Sequence, residues 1–394
     1  DTWSHFADMD KNDIYDVAVL GGGLAGLTSA ILLAEAGHAV VLFEKHTYPF
    51  HKVCGEYVSR ESLEFLKSLD LDYDLNTLPT ISNFRLTTQF GTELTRSLDL
   101  GGIGISRYTL DNVLKTRAQS LGARIMDSTS VKSITFDGDK HVSLTDRGQF
   151  GSRVAVGSFG KRSRLDKQLN REFVQNPAPM ESNYLGVKYH IRTDFPRDVI
   201  ELDIFDDGYC GISAVDGEDR YCLCYLTTAE NLRNAQGDIK LMEASILSRN
   251  QHLYRYFNES TQLYDEPLAI SQINFQPKSI VKDHILMTGD AARLVAPLSG
   301  NGMSMAMHGA SLAAPLIHDF LMNRINRKSM ESEYRKMWKK HFRSRVRLNK
   351  IIQTFFFRQR LIDSSLKFLE FIPALADQII RSTHGRPFKK PSLR

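Results

Sequence analysis

Gly21, Gly23 and Gly26 are spaced as G-x-G-x-x-G, and an acidic residue, Glu44, follows. Glycines in this pattern suit one task, which is to hold a pyrophosphate against bare backbone. Gly21 allows a tight turn. Gly23 leaves room for the anion. Gly26 lets a helix pack close to a strand. Leu24 and Ala25, between Gly23 and Gly26, are taken with them as cofactor-binding positions. The free N–H groups and partial positive charge of a helix N-terminus favour a phosphate there. Glu44, with Lys45 beside it, is placed to accept hydrogen bonds from the ribose hydroxyls of an adenosine.

These residues need a strand–helix–strand frame. Residues 14–20, IYDVAVL, read as a buried strand that ends at glycine. An amphipathic helix is predicted from Leu27 to Ala36, closed by Gly37. A second strand runs from Ala39 to Glu44. Residues 17–34 carry no charge, which meets the lower length limit for a membrane span. The glycine spacing explains that run as a β–α turn instead, and a span would leave Glu35 and Glu44 badly placed.

A second set of residues lies in the C-terminal third. A strand, ILMT at 285–288, runs into Gly289-Asp290, then a loop with Pro297, Gly300, Asn301 and Gly302, then a helix from Met303. Here the chain resembles the flavoprotein superfamily of p-hydroxybenzoate hydroxylase and geranylgeranyl reductase. The resemblance implies FAD as the dinucleotide. It places Asp290 on the flavin ribityl chain and aims the 300–303 turn at the N1–C2=O edge of the ring. A helix dipole there favours the negative charge of reduced flavin. Ser106-Arg107 with Leu110-Asp111 resembles the family's R-x-x-L-D stretch, so Arg107 is expected to reach the ribityl or phosphate region. The alternative for Arg107 is a surface helix cap. Val131 falls where the family's backbone touches adenine. The likeness spans roughly residues 13–345.

The chain also departs from the family. The hydroxylases' G-A-D-G segment is Gly157-Ser158-Phe159-Gly160 here, with Phe159 in place of the acid. Lys52-Val53-Cys54-Gly55-Glu56 resembles the reductases' cysteine–glycine segment. Their Y-x-W-x-F-P signature is reduced to Tyr209 within GYCGIS. The W-x-W-x-I-P of tryptophan-type halogenases is missing, so that class is set aside. No second G-x-G-x-x-G occurs, which excludes reductases with two dinucleotide domains.

The fold class expected is α/β: a Rossmann-like, GR2-type FAD-binding domain with an inserted antiparallel-sheet substrate domain and C-terminal helices. The FAD-binding domain takes residues 11–78, 101–180 and 268–330. The substrate domain takes 79–100 and 181–267. A helical segment with a basic tail takes 331–394. Residues 81–99 read as a hairpin turning near Gly91, and 184–227 hold three strands. Alternation in RYCLCYLT puts Cys222 and Cys224 on one face, as small core residues or a metal pair. No further Cys or His has ligand spacing, so no metal is expected. The tail GRPFKKPSLR is expected to be disordered.

Composition narrows the partners. Fifty basic against 46 acidic residues give +4, too balanced for nucleic acid to be the default ligand. Four cysteines in 394 residues are no disulfide framework, and with no leader visible a cytoplasmic protein is expected. Peripheral membrane contact through the basic C-terminal helices is the less favoured of two readings, the other being a solvated charged face.

The resemblance implies an FAD-dependent oxidoreductase. Its first reading is a monooxygenase that hydroxylates an aromatic or polyketide-like hydrophobic small molecule through a C4a-hydroperoxyflavin. The alternative is a geranylgeranyl-reductase-like reductase or desaturase acting on an alkene or isoprenoid chain. A non-catalytic flavin-binding protein is a third. Electrons would come from NAD(P)H or from a partner flavin reductase. Cys54, as a redox or relay residue or simply a small loop residue, Glu56 with His51 for proton transfer, and Tyr209, as donor to substrate or packing residue, are the catalytic candidates.

Overall fold

The computed structural model describes residues 14–177, 179, 183–295, 300–356 and 359–393. Pro297 lies outside them. The chain begins with β1 (Ile14–Leu20), α1 (Leu24–Glu35), β2 (Val40–Phe43), β3 (Tyr57–Ser59) and a short α2 (Leu63–Lys67). The hairpin β4 (Thr80–Thr88) and β5 (Glu93–Gly104) precedes α3 (Arg107–Ser120), followed by β6 (Arg124–Met126), β7 (Val131–Phe136), β8 (His141–Thr145) and β9 (Gly148–Gly157). Short helices α4 (Arg164–Gln168) and α5 (Glu172–Gln175) lead to β10 (Tyr184–Arg192), β11 (Val199–Phe205), β12 (Gly208–Ala214) and β13 (Tyr221–Thr228). Then come α6 (Ala229–Asn234), α7 (Ile239–Ser245), α8 (Gln251–Glu259), β14 (Thr261–Gln262), β15 (Leu268–Ile273), β16 (Val281–Lys282) and β17 (Ile285–Met287). The last elements are α9 (Gly302–Leu321), α10 (Arg327–Phe356), α11 (Gln359–Phe371) and α12 (Pro373–Thr383).

One sheet has the order β16-β17-β9-β1-β2-β6, with the β7–β8 hairpin attached through β9. β1 lies parallel to β2 and β9, and β17 parallel to β9. Strands covered on both faces carry continuous apolar runs, and Val17–Leu20 are fully buried. The helix after β1 differs from the amphipathic one predicted. It starts at Leu24, and Leu24–Ala34 are all buried. β1, β2, α3 and α9 all pack on it, so it needs no polar face. The uncharged run 17–34 is therefore protein core, with most of it in one cluster with Leu286 and Ile317.

The second sheet has the order β14-β10-β13-β12-β11-β4-β5-β3, with β15 on β10. It is antiparallel except for β4 and β11, which pair in parallel. The GYCGISA segment is a full strand of it, so residues 184–228 hold four strands, one more than the three expected. Residues 57–59, 101–104 and 268–273 also join this sheet, beyond the 79–100 and 181–267 segments. One face is covered by α7 and α8, with Val187, Ile212 and Tyr225 against Met242 and Leu253. The other face carries Leu86, Leu202, Ile204, Tyr209 and Leu226, and packs against Leu294 and, from α11, Ile362 and Leu366.

The C-terminal tail is docked, in contrast to the disorder expected from its composition. The Phe388 ring stacks on His308 (centroids 4.3 Å apart, planes at 6°) and tilts against Phe65 at 5.0 Å. Its N–H donates to the Glu61 carbonyl at 3.1 Å. Lys390 reaches Glu35 at 2.7 Å. An aromatic residue with a slot to fill outweighs the local preference of a Pro-rich basic segment.

Candidate functional site

The G-x-G-x-x-G turn sits at the carboxyl end of β1, where open α/β sheets receive ligands. A Cβ at Gly26 would overlap the Gly21 carbonyl oxygen, and one at Gly21 would meet the Ser158 carbonyl. Gly21 also has φ of +108°, a conformation that favours glycine. α1 begins at Gly23 with no side-chain cap, so the Leu24 and Ala25 amides face outward without a protein acceptor from that cap. The space above Gly23 is flanked by cations: Arg107 Nη2 and Lys52 Nζ stand 3.8 and 3.9 Å from the point a Cβ would occupy.

Those cations are held from behind. Arg107 makes a bidentate pair with Asp111 at 2.7 and 2.8 Å, and Lys52 reaches the same carboxylate at 2.9 Å. Burial works against the charges, but Arg107 and Lys52 together hold the Asp111 carboxyl below the usual range. Arg107 is thus no surface cap. Two cations share one carboxylate, which leaves net positive charge toward the glycine turn.

Glu44 is buried at the end of β2. Its Oε2 accepts the Gly22 N–H at 2.9 Å and its Oε1 the His46 N–H at 3.1 Å. Each oxygen keeps a lone pair for a ribose hydroxyl. Lys45 is exposed beside it. The Thr129 N–H donates to the Glu44 carbonyl at 2.8 Å, which brings the start of β7 and Val131 to the same rim. Gly289 lies against Ala25, so the Gly289-Asp290 turn abuts the first turn of α1. The Asp290 carbonyl accepts from Lys278 Nζ at 3.0 Å, and burial lowers that amine to about 8. Gly300 rests on the Tyr57 ring. Asn301 caps α9 from a buried position with its Nδ2 on the Thr383 carbonyl, so Gly302 and the buried Met303 start that helix with no side-chain cap. Gly21–Gly26, Glu44 and the Gly289-Asp290 turn meet at the carboxyl ends of β1 and β2. An uncapped helix start flanked by two cations, with no room for side chains at the turn, fits a pyrophosphate.

Beside the cradle lies a buried polar knot. Glu56 is fully buried with φ of +57°. Its Oε1 accepts from the Arg107 N–H at 2.8 Å and from Lys188 Nζ at 2.5 Å, and its Oε2 meets His190 Nε2 at 2.6 Å. Burial pushes this carboxyl up, but Lys188 and His190 more than offset it and hold it at about 2. The reciprocal pull raises Lys188 despite its burial. His51 leans edge-on to His190 at 5.2 Å, and burial with Lys188 nearby lowers it to about 4.

The sequence profile of the FAD binding domain family matches residues 14–324. The chain belongs to this family. It is an FAD-dependent oxidoreductase. Among curated relatives, conditioned medium factor receptor 1 of Dictyostelium discoideum is 24% identical over 92% of this chain and 75% of its own length. Menaquinone reductase of Mycobacterium tuberculosis is 25% identical over 78% of each chain. Digeranylgeranylglycerophospholipid reductase of Methanosarcina acetivorans is 24% identical over 83% of this chain and 81% of that one. Among solved structures, a flavin-dependent brominase superposes with a TM-score of 0.76 at 20% identity, covering 97% of this chain and 96% of that one. A geranylgeranyl bacteriochlorophyll reductase-like protein from Thermoplasma acidophilum gives 0.75 at 17% identity, covering 96% and 94%. These superpositions show the same fold.

Within this FAD-binding frame, the catalytic candidates do not all converge. Cys54 and Glu56 sit together, and the Glu56 N–H points to Cys54 Sγ at 3.5 Å. Cys222 and Cys224 share a sheet face with Lys188 and His190, their strand partners. Cys222 Sγ donates to the Cys54 carbonyl at 3.3 Å, and burial pushes the Cys224 thiol up to about 12. They are free, protonated thiols. Tyr209 is two strands away from Lys188, buried among Leu86, Leu202 and Leu226. Lys188 and His190 were not singled out from the sequence. The available signal was two basic residues at alternate positions of a strand otherwise rich in apolar residues. Among the described residues, His51–Glu56–His190 and Glu201–Asp203–His252 could each hold a cation by geometry. In both, a Lys or Arg already sits on the glutamate.

Proposed function

We propose that the chain is a reductase that saturates a carbon–carbon double bond in a long apolar substrate. The observation that carries this reading is the Glu56–Lys188–His190 knot, which stores protons beside the FAD cradle at the margin of an apolar sheet face. Bound FAD, once reduced, supplies a hydride. Gly21–Gly26, Arg107 and Lys52 would hold its pyrophosphate, Glu44 its ribose, and Asp290 its ribityl chain.

Saturation also needs a proton. Glu56 is held ionised and is a poor acid itself, but it keeps Lys188 charged in a site without water access. Lys188, the charged member of the knot, would give the proton, since Glu56 holds none. The sheet face that carries Lys188 is otherwise apolar, through Leu202, Ile204 and Leu226, and is covered there by Leu294 and α11, so a chain would reach Lys188 along the margin of that cluster. The names of the menaquinone and digeranylgeranylglycerophospholipid reductases point to prenyl chains as the substrate class. Electrons would enter from NAD(P)H or from a partner flavin reductase.

Oxygen transfer, the first reading from the sequence, is the competing outcome. Protein reduced anaerobically is mixed with an unsaturated isoprenoid lipid that carries no quinone. Reoxidation without oxygen, with a product heavier by two hydrogens, supports the reductase. Reoxidation that waits for oxygen and adds an oxygen atom to the product refutes it in favour of the monooxygenase.

A further inference from the structure

We propose that the α11–α12 hairpin docks on the surface of an anionic lipid bilayer. The hairpin is apolar on two sides. Inward, Ile362 and Leu366 pack on the sheet cluster of Leu86, Leu202 and Leu226. Outward, Phe368, Phe371, Ile372, Leu375 and Ile379 are 57, 84, 38, 37 and 39% exposed. They recur three or four residues apart through the α11–α12 junction. An exposed set this dense marks an interaction surface.

Polar bonds fix which side faces out. Asp363 accepts from Thr88 Oγ1 at 3.1 Å and Thr92 Oγ1 at 2.5 Å. Arg96 Nη2 donates to the Leu369 carbonyl at 3.4 Å, and Arg381 pairs with Asp99. The hairpin is thereby pinned to β4 and β5 by its inner edge.

Charge identifies the occupant. α10 packs on both helices of the hairpin. It buries Tyr334, Phe342 and Asn349, and exposes Lys340, Arg343, Arg347 and Lys350 at spacings of three and four. No Asp or Glu occurs between Glu333 and Asp363. A second copy related by a two-fold axis would bring two such stripes together. Protein interfaces deplete lysine, whereas anionic headgroups attract it, each basic residue near the surface being worth about 1 kcal/mol. No helix among the described residues is long and apolar enough to cross a membrane, so the attachment is peripheral. This inference concerns attachment and does not depend on the reaction proposed above.

The full chain, loaded with FAD, is sedimented with phosphatidylcholine vesicles made with and without phosphatidylglycerol. Binding is expected to the anionic vesicles and to fade at high salt. Phe368→Ser with Phe371→Ser, and separately Arg343→Gln with Arg347→Gln and Lys350→Gln, should each lower partitioning by at least about tenfold while FAD content stays unchanged. Phe371→Trp should show blue-shifted emission on the same vesicles. Failure of the unaltered protein to bind anionic vesicles overturns the proposal. So does unshifted emission, or a dimer in light scattering that Phe371→Ser splits.

Discussion

Glu56 and Lys188 form a fully buried ion pair at 2.5 Å between the loop after β2 and strand β10 of the second sheet. The pair ties the FAD cradle to the second sheet through one carboxylate. Breaking a buried pair on one side leaves an uncompensated charge, at a typical cost of about 3–5 kcal/mol. Lys188→Met should therefore destabilise the fold in urea, and Glu56→Gln should do so as well. Lys188→Met with Glu56→Gln should recover much of the loss. Equal unfolding midpoints for single and double variants would contradict this coupling.

The same pair sets a pH dependence. The folded Glu56 carboxyl is depressed to about 2, below its unfolded value. Its stabilisation is therefore present above the unfolded pKa of about 4.3 and fades as pH falls toward the folded value. Wild-type protein should lose stability between those limits more steeply than Glu56→Gln. Urea titrations at a series of pH values check the difference in slope.

Gly26→Ala tests the cradle. The added methyl would overlap the Gly21 carbonyl, so the turn must open. The variant is expected to purify with little FAD, read as the ratio of flavin to protein absorbance. Full FAD content would mean that α1 can shift without cost.

Arg107 and Asp290 are both proposed to hold FAD at the start of α1. Charge-assisted hydrogen bonds are worth about 1.5–3 kcal/mol, so Arg107→Ala should weaken FAD binding by at least about tenfold. Asp290→Ala should weaken it too. Calorimetric titration of apoprotein with FAD measures both. Unchanged affinity in either variant removes that residue from the site.

Phe388→Ala probes the docked tail. The ring is buried between His308 and Phe65, and its loss should cost about 3 kcal/mol. Thermal unfolding gives the shift. Proteolysis should then trim the tail first.

Local pattern carried the cradle: the glycine spacing, the following acid and the Gly289-Asp290 turn lie in short stretches of chain with their chemistry on display. The extent of α1 was less legible, because what makes it buried all round is α9, nearly three hundred residues later. The Glu56 knot was hidden for the same reason. Glu56 meets Lys188 and His190 across 132 and 134 residues, and no local signal pairs them. The tail misled through composition. Its Pro and Lys residues read as solvent-loving, while the deciding residue was a single phenylalanine.

The docked tail has a consequence for a shortened chain. Its Lys390 clasps Glu35, and the cap of α9 is tied to Thr383 near its start. Both helices that meet at the cradle thus receive a contact from far along the chain, 355 residues on from Glu35 and 82 from Asn301. A chain cut before Thr383 would keep the glycine turn but lack the tie on the start of α9.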